Sequence, residues 1–209
     1  MLGLPSKAEV SKMLPKKAIY EKFNMNTAQK AKFDADISRI SIVGEITPTT
    51  TQIAAGKDMQ GFYILQIVLK NKKYDEKAIA SLQKLIAQRM IFLLQYESQY
   101  CLAYYHNHLY HTEWVELNRL LVPLSGLDLD IVWENTIKQI VCSENDTAWD
   151  VNATIEENIA TETHRRKLIT NIASLEKKVR SEKQLNRQIQ LNEELKRMRK
   201  ELEQKYGMA

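Results

Sequence analysis

Three histidines stand close together between two β-rich segments of the chain. His106, His108 and His111 form a His-x-His-x-x-His pattern. If Asn107 and His108 make a two-residue hairpin turn, residue 106 pairs with 109 and residue 104 with 111. His106, His111 and Glu113 would then share one sheet face, where two imidazoles and a carboxylate could bind zinc with an open position. Exposed hairpin histidines explain the pattern equally well, so we predict no cofactor and keep these three residues as a metal candidate.

A magnesium-dependent nuclease of the restriction type would need a different strand from the one that this chain carries. Such enzymes place one acidic residue on a strand and Asp/Glu-x-Lys on the next, to hold Mg²⁺ and activate water. The corresponding strand reads Gln66-Ile67-Val68, which supplies neither the second carboxylate nor the lysine. Asp75-Glu76-Lys77 lies at a predicted helix start. The sequence therefore argues against this class of enzyme.

Other catalytic patterns are also missing from the sequence. The 6 glycines form neither a phosphate-binding loop nor a dinucleotide-binding pattern, and no Gly-x-Ser-x-Gly elbow occurs. Cys101 lies in an apolar segment and Cys142 follows a helical apolar face, which is typical of small core residues. We predict a protein that is not an enzyme.

Composition indicates a soluble globular protein. The chain has 209 residues, of which 44% are hydrophobic and 27% charged. The N-terminus carries Lys7, Glu9 and Lys12 where a signal peptide would need an apolar stretch. Two cysteines cannot form a disulfide framework. We expect the protein to lie in the cytoplasm and to have no membrane partner.

Charge is unevenly distributed along the chain. Residues 1–32 hold 7 Lys and 2 Glu, net +5; residues 33–163 hold 10 basic and 18 acidic residues, net −8; residues 164–209 hold 13 basic and 6 acidic residues, net +7. Basic ends can meet an anionic partner such as DNA, or they can simply be solvated or lie against the acidic middle. The candidate contacts with nucleic acid or a partner are Lys12, Lys16, Lys17, Arg165, Arg166, Lys167, Arg197 and Arg199.

The apolar pattern predicts an α+β fold with a mixed sheet of four to five strands and packed helices. Residues 62–69 are nearly all apolar, as in a central strand buried on both faces. Further strands are predicted at residues 42–46, 90–96, 100–105 and 109–115, and the polar residues 47–56 are predicted to form a loop. Ser6-Lys7-Ala8-Glu9 has the pattern of a capping box, and Asn26 and Asp75 are predicted to cap later helices. Phe33, Ile37 and Ile40 have the spacing of one buried helical face.

The C-terminal segment predicts a long coiled-coil helix. Apolar residues recur every three or four positions, with a phase shift near Glu182 and Asn186 that a stutter would absorb. A helix of about 40 residues would span about 60 Å and could not cover its own apolar stripe. The covering helix would come from a second copy or from another protein, or the helix would lie on its own domain. We predict a homo-oligomer, with these oligomerisation residues: Leu168, Ile172, Leu175, Val179, Leu185, Ile189, Leu191, Leu195, Met198 and Leu202. The domain prediction is a globular domain at 1–142, an acidic linker at 143–163 and this helix at 164–206.

Several short segments carry a resemblance to a known family. Leu14-Pro15-Lys16-Lys17 followed by Tyr20-Glu21, then Thr47-Pro48-Thr49, and later Leu127-Asp128-Leu129-Asp130 resemble the bacterial domain of unknown function 4391. The resemblance covers nearly the whole chain. It implies a companion of SNF2-like helicases and type III-like restriction–modification genes in prokaryotic defence loci, with a helicase or methyltransferase subunit as the possible partner. It carries no catalytic residue over to this chain.

These observations predict a non-enzymatic accessory or scaffold protein of such an antiviral defence module, assembling through its C-terminal coiled coil. The alternative is a nucleic-acid-binding module that uses the basic N- and C-terminal segments. The two differ in salt dependence, because phosphate contacts weaken steeply as salt rises.

Overall fold

The computed structural model describes residues 1–85, 88–142, 149–150 and 152–207. The chain divides into two compact units, Met1–Glu144 and Asn145–Ala209. The first unit contains a β-sheet with helices packed on it, and the second is helical.

The first unit contains both strands and helices. Its strands are β1 (Glu9–Met13), β2 (Ile37–Ile46), β3 (Phe62–Leu69), β4 (Arg89–Tyr96), β5 (Gln99–His106), β6 (His108–His111) and β7 (Val115–Glu116). Its α-helices are α1 (Lys16–Lys22), α2 (Thr27–Asp36), α3 (Pro48–Thr51), α4 (Glu76–Leu82) and α5 (Leu129–Val141), with a 3₁₀ turn at Leu117–Arg119.

The strands form one mixed sheet whose order follows the chain, β1-β2-β3-β4-β5-β6, with β7 also paired to β5. β3 and β4 are parallel, and the other strand pairs of the described chain are antiparallel. The crossover through α4 makes the parallel pair possible, because parallel strands need a long connection. The predicted mixed α+β sheet is confirmed, but its seven strands exceed the four to five predicted.

Helices cover both faces of the sheet. On one face Ile19 of α1, Phe33 of α2 and Ile79 of α4 pack onto a core that includes Ile67 and Phe92. On the other face Trp133 of α5 contacts Phe62 of β3 and Tyr104 of β5, with ring centroids 5.1 and 5.7 Å apart. β3 is buried on both faces, as its continuous apolar run predicted.

Side-chain caps start three helices of this unit. Asn26 accepts a hydrogen bond from the Gln29 backbone N–H, and Gln29 bonds back to the Asn26 N–H, so the capping box is complete. Asp75 and Asp128 cap α4 and α5 in the same way. The caps predicted at Asn26 and Asp75 are therefore confirmed, and each satisfies helical N–H groups that have no partner within the helix.

Asp130 in the first turn of α5 holds a loop from elsewhere in the chain. Its carboxylate accepts hydrogen bonds from the backbone N–H groups of Lys57 (2.7 Å) and Asp58 (3.2 Å). Gly56 lies so close that a Cβ atom there would overlap the Asp130 carboxylate. Because Gly56 has no side chain, the N–H groups of Lys57 and Asp58 can reach the Asp130 carboxylate.

Gly56→Ala is expected to destabilise the protein by about 1–3 kcal/mol, because the new methyl group would push the Asp130 carboxylate off its two donors. Urea unfolding followed by circular dichroism measures the change. In the Asp130→Ala background the same glycine substitution should cost clearly less, since the clashing group is gone. An equal cost in both backgrounds would show that the contact is not the cause.

Three local predictions in this unit are wrong. The segment after Ser6 forms β1 instead of a helix, because pairing with β2 outweighs a local capping pattern. Ile37 and Ile40 are buried as expected, but they belong to β2, since α2 ends at Asp36. The segment after Thr47, predicted as a loop, contains the short α3.

The second unit is a pair of antiparallel helices. α6 (Ile155–Ser181) and α7 (Leu185–Tyr206) are joined by three residues, 182–184. The single helix predicted over residues 164–206 is therefore wrong. α6 also begins inside the segment predicted as an acidic linker, of which residues 143–148 and 151 lie outside the described part of the chain.

The two helices share an apolar seam. Leu195 of α7 packs with Ile172 and Leu175 of α6, and Leu191, Met198 and Leu202 pack against this cluster. Arg199 donates to Glu176 (2.7 Å), and the hydroxyl of Tyr206 hydrogen-bonds His164 Nδ1 (2.8 Å). The seam predicted to form between two chains is thus formed within one chain.

The connection between the helices is stabilised by its own side chains. Glu182 Oε1 accepts hydrogen bonds from the backbone N–H groups of Lys183 (2.9 Å) and Gln184 (3.0 Å). Gln188 donates to the carbonyl of Val179 in the last turn of α6 (3.2 Å). These contacts satisfy free backbone groups at both helix ends. No glycine or proline lies at residues 182–184.

Candidate functional site

A cluster around Asp34 joins α1, α2 and the end of β3. Asp34 Oδ1 accepts hydrogen bonds from Lys16 Nζ and from the Tyr20 hydroxyl, each at 2.6 Å. The main-chain carbonyl of Asp34 accepts a bond from Lys70 Nζ at 2.6 Å. Lys30 Nζ lies 5.8 Å from the centroid of the Tyr20 ring. One ammonium group, that of Lys16, thus contacts the carboxylate, whereas Lys70 contacts the Asp34 main chain and Lys30 lies over the Tyr20 ring.

The charges of this cluster are fixed near neutral pH. The bonds from Lys16 and then Tyr20 outweigh partial burial and lower the pKa of Asp34. Burial, together with the hydrogen bond to Asp34, raises the pKa of Tyr20 to about 12. The carboxylate therefore stays ionised and the phenol stays protonated, so the cluster supplies positive charge and not a proton donor or acceptor for catalysis.

A cleft of about 350 Å³ lies beside this cluster, between α2 and α4. Phe23, Met25 and Phe33 form its apolar lining. Lys32 and Asp75 meet at its rim with a 2.6 Å ion pair, and the hydrogen bond from Lys32 lowers the pKa of Asp75. Because this rim is already neutralised, the cleft offers less net charge than the Asp34 cluster.

The predicted contact residues divide into engaged and exposed side chains. Lys16 is bound to Asp34 and to the carbonyl of Ile37. Arg199 is bound to Glu176. Arg199 is nevertheless exposed, as are Lys12, Lys17, Lys167 and Arg197. Of the eight, three belong to the first unit and five to the second, so they do not form one cluster within either unit.

Arg165 and Arg166 are held by one carboxylate of their own helix. Glu162 accepts bonds from Arg165 Nε (2.7 Å) and Nη2 (2.8 Å) and from Arg166 Nε (2.8 Å). Arg165 is 0% exposed and Glu162 is 2% exposed. Arg165 is therefore a buried structural residue, which corrects its prediction as an exposed contact.

The histidine prediction is also corrected. Asn107 alone turns the chain, with φ of 64°, so His106 pairs with His108 and Ala103 with His111. Successive strand residues point to opposite faces, which places His106 and His111 on opposite faces of the sheet. Glu113 lines an open groove instead. Within the described residues, no group of three or more His, Cys, Asp or Glu side chains could hold a metal ion.

The predicted oligomerisation residues fall into two sets. Most lie at the seam between α6 and α7, namely Ile172, Leu175, Leu191, Leu195, Met198 and Leu202. Leu185 and Ile189 lie off this seam, about 80° and 120° round the helix from Leu195 at roughly 100° per residue. They are 69% and 49% exposed. The stripe that the sequence suggested to be continuous is therefore a seam plus a separate exposed pair.

Comparison with known proteins identifies the family. The family described as "Domain of unknown function (DUF4391)" matches residues 2–202. The chain belongs to this family. No curated protein and no solved structure matches the chain significantly.

The DUF4391 match extends over both units, so the helical pair is part of the family's domain. The segments that carried the resemblance now have structural roles. Pro15 precedes α1, Lys16 and Tyr20 hold Asp34, and Asp128 and Asp130 anchor the start of α5. None of these roles is catalytic.

The DUF4391 chain contains further basic residues that our sequence interpretation missed. Lys70, Lys72 and Lys73 follow β3 directly and are exposed. The signal was present, because a lysine-rich run after a buried strand marks the end of a sheet, where ligands commonly bind. Among the described residues, no helix is long and apolar enough to cross a membrane.

Proposed function

We propose that this chain is a non-enzymatic accessory protein of a prokaryotic helicase- or restriction–modification-linked defence module, and that its helical pair docks on a protein partner. The observation that carries the proposal is the exposed pair Leu185 and Ile189. They lie one turn apart on the same side of α7, while the seam of the two helices is covered within the chain. Exposed apolar side chains outside a covered seam are available for a partner.

The chemistry around this pair indicates the kind of surface that it fits. Residues 182–189, here called the hairpin tip, also carry Lys183 and Arg187, which are exposed. Arg187 Nε lies 3.6 Å from Glu182, at the edge of ion-pair distance. We therefore expect an apolar partner surface edged by carboxylates. Since two side chains bury little area, the contact would be of the small, transient class.

Replacing Leu185 and Ile189 together by asparagine is expected to abolish partner capture without changing stability by more than about 0.5 kcal/mol, because both are exposed. The measurement is a pull-down of the helicase-like or methyltransferase protein encoded beside this gene, after co-expression with the tagged chain. The resemblance to the family is the reason for testing those partners first.

A matched control is available in the first unit. Leu121 and Leu127 are 58% and 88% exposed, and their double substitution to asparagine removes the same chemistry from a different place. The control should retain the partner. Equal capture by wild type and the tip variant would overturn the proposal. Light scattering on the purified chain separates a second copy from a different protein as the occupant of the tip.

Nucleic acid remains a second candidate partner, and one observation favours it. Arg197, Lys200 and Lys205 of α7 line a shallow depression of about 500 Å³ together with Glu201 and Gln204. Three cations along one side of a helix suit contacts to successive phosphates. Binding to DNA that falls steeply between low and physiological salt would support this candidate.

A further inference from the structure

The end of the sheet where β3 stops carries a concentration of lysines. Lys70, Lys72 and Lys73 follow Leu69, the last residue of β3, and all three are exposed. β3 and β4 are parallel, so their carboxyl ends lie at the same edge of the sheet. In open, mostly parallel α/β sheets, ligands bind outside the carboxyl ends of the strands. The single parallel pair of this sheet presents the corresponding edge.

Two more lysines reach the same edge from the helical layer. β2 runs antiparallel to β3, and Ile37 at its start pairs with Leu69. The end of α2 therefore lies beside the lysine run, and the Lys70 backbone N–H donates to the Asp36 carbonyl (2.8 Å). Lys16 and Lys30 are placed there through Asp34 and Tyr20. We call Lys16, Lys30, Lys70, Lys72 and Lys73 the sheet-end lysine surface.

A carboxylate pairs with one of the five lysines of this surface. Asp34 is paired with Lys16, and Asp75 is paired with Lys32. Lys70 Nζ bonds to a main-chain carbonyl, and Lys72 Nζ lies 3.4 Å from the side-chain oxygen of Gln99. These oxygens are neutral, so both lysines keep their charge. Residues 33–163 have a net charge of −8, so this surface is a local positive area in an acidic stretch of chain.

Aromatic rings support two of the lysines. Lys30 Nζ lies 5.8 Å from the Tyr20 ring centroid, and Lys72 Nζ lies 6.0 Å from the Trp114 ring centroid. Cation–π contacts at these distances are worth about 0.5–1 kcal/mol at exposed sites. These contacts hold the two lysine side chains near the sheet edge. Less side-chain entropy is therefore lost when an anion binds.

We propose that the sheet-end lysine surface binds the phosphate backbone of a nucleic acid without reading its base sequence. The lysines are spread over an open edge, which suits repeated phosphates better than one small anion. Lysine is a point charge without the planar fork that arginine uses for bidentate recognition, so sequence discrimination is not expected. The site shares its ligand class with the second candidate function, but Lys70, Lys72 and Lys73 lie outside the basic ends of the chain.

The test is fluorescence anisotropy of a labelled DNA duplex about two helical turns long, titrated with the full chain at several salt concentrations. Lys70→Gln/Lys72→Gln/Lys73→Gln is expected to weaken binding at least about tenfold at low salt. It should also lower the slope of log K against log salt by about 2.7, since each lost phosphate contact contributes about 0.9. The double variant Lys72→Gln/Lys73→Gln keeps the hydrogen bond from Lys70 to the Asp34 carbonyl, so it controls for a folding defect caused by losing that bond. It should lower the slope by about 1.8.

The matched control removes three exposed positive charges from other places in the first unit, as Lys57→Gln/Arg119→Gln/Lys138→Gln. It should retain binding within about twofold. The proposal is overturned if wild type does not bind the duplex at low salt, or if the sheet-end variants bind as wild type does. It is also overturned if the control variant loses as much affinity as they do, or if a polyglutamate peptide binds and DNA does not.

Discussion

Glu162→Ala is expected to cost about 3–5 kcal/mol, because removing one partner of a buried ion pair leaves the other charge in a site without water. The Glu162 carboxylate accepts two bonds from the fully buried Arg165 and one from Arg166. Burial alone would raise the pKa of Glu162, but these bonds outweigh it, and the pKa is lowered from its ordinary value of 4.5. The ion pair therefore stabilises the folded state.

Urea unfolding monitored by the helical signal measures this cost. Glu193→Gln on the exposed side of α7 is the control and should change stability by less than about 0.5 kcal/mol. The pH dependence has a definite sign. Because the pKa of Glu162 is lowered in the folded state, its ion pair contributes its full stabilisation above pH 4.5. That contribution is lost as the pH falls through the folded-state pKa. Glu162→Gln should lack this acid-sensitive part, and an unchanged acid profile would contradict the role given to the pair.

Leu195→Ala is expected to destabilise the helical pair by about 2–4 kcal/mol, whereas Leu185→Ala on the same helix should cost less than about 0.5 kcal/mol. Leu195 is 8% exposed and packs on Ile172 and Leu175. Leu185 is 69% exposed. Both changes replace the same residue type in the same helix, so their difference reports packing and not helix propensity.

The measurement is again urea unfolding, combined with light scattering at several protein concentrations. If the seam is closed within one chain, the cost of Leu195→Ala will not depend on protein concentration. A continuous two-chain coiled coil would instead make stability concentration-dependent. It would also make Leu185 as sensitive as Leu195, which would contradict the arrangement of α6 and α7.

Strong local signals were sufficient to predict the centre of the sheet. The apolar run of β3 predicts a strand buried on both faces, and Asn26 and Asp75 predict helix starts. The structure confirms these three predictions. β1 was missed because its Ser-x-x-Glu pattern is a local helix signal. Its strand conformation depends on pairing with β2, about 30 residues away in sequence.

The histidine hairpin shows how one residue changes a predicted site. A two-residue turn would have put His106 and His111 on one face, but the turn is made by Asn107 alone. Side chains alternate along a strand, so this register shift by one residue separates the two imidazoles. Sequence spacing could not distinguish the two turns.

The helical pair was missed for a related reason. The phase shift near Glu182 was visible, and a stutter and a chain reversal both resolve such a shift. Without a glycine or proline to mark a turn, the sequence did not decide between them. Side-chain contacts such as those of Glu182 and Gln188 decide it, and they become apparent only in three dimensions. The lysine run after β3 was visible in the sequence, but only the fold shows that Lys16 and Lys30 lie at the same edge.

The strand order of the sheet has a consequence for biosynthesis. From β1 to β6, every strand pairs with the strand before it in the chain. Each strand can therefore pair with the edge of the existing sheet as soon as it leaves the ribosome. No N-terminal strand depends for its pairing on a strand that is synthesised much later. Such topologies keep contact order low and shorten the time for which unpaired edges are open to aggregation. The longest connection between consecutive strands is residues 14–36, which contain α1 and α2, so the pairing of β2 with β1 takes the longest stretch of synthesis.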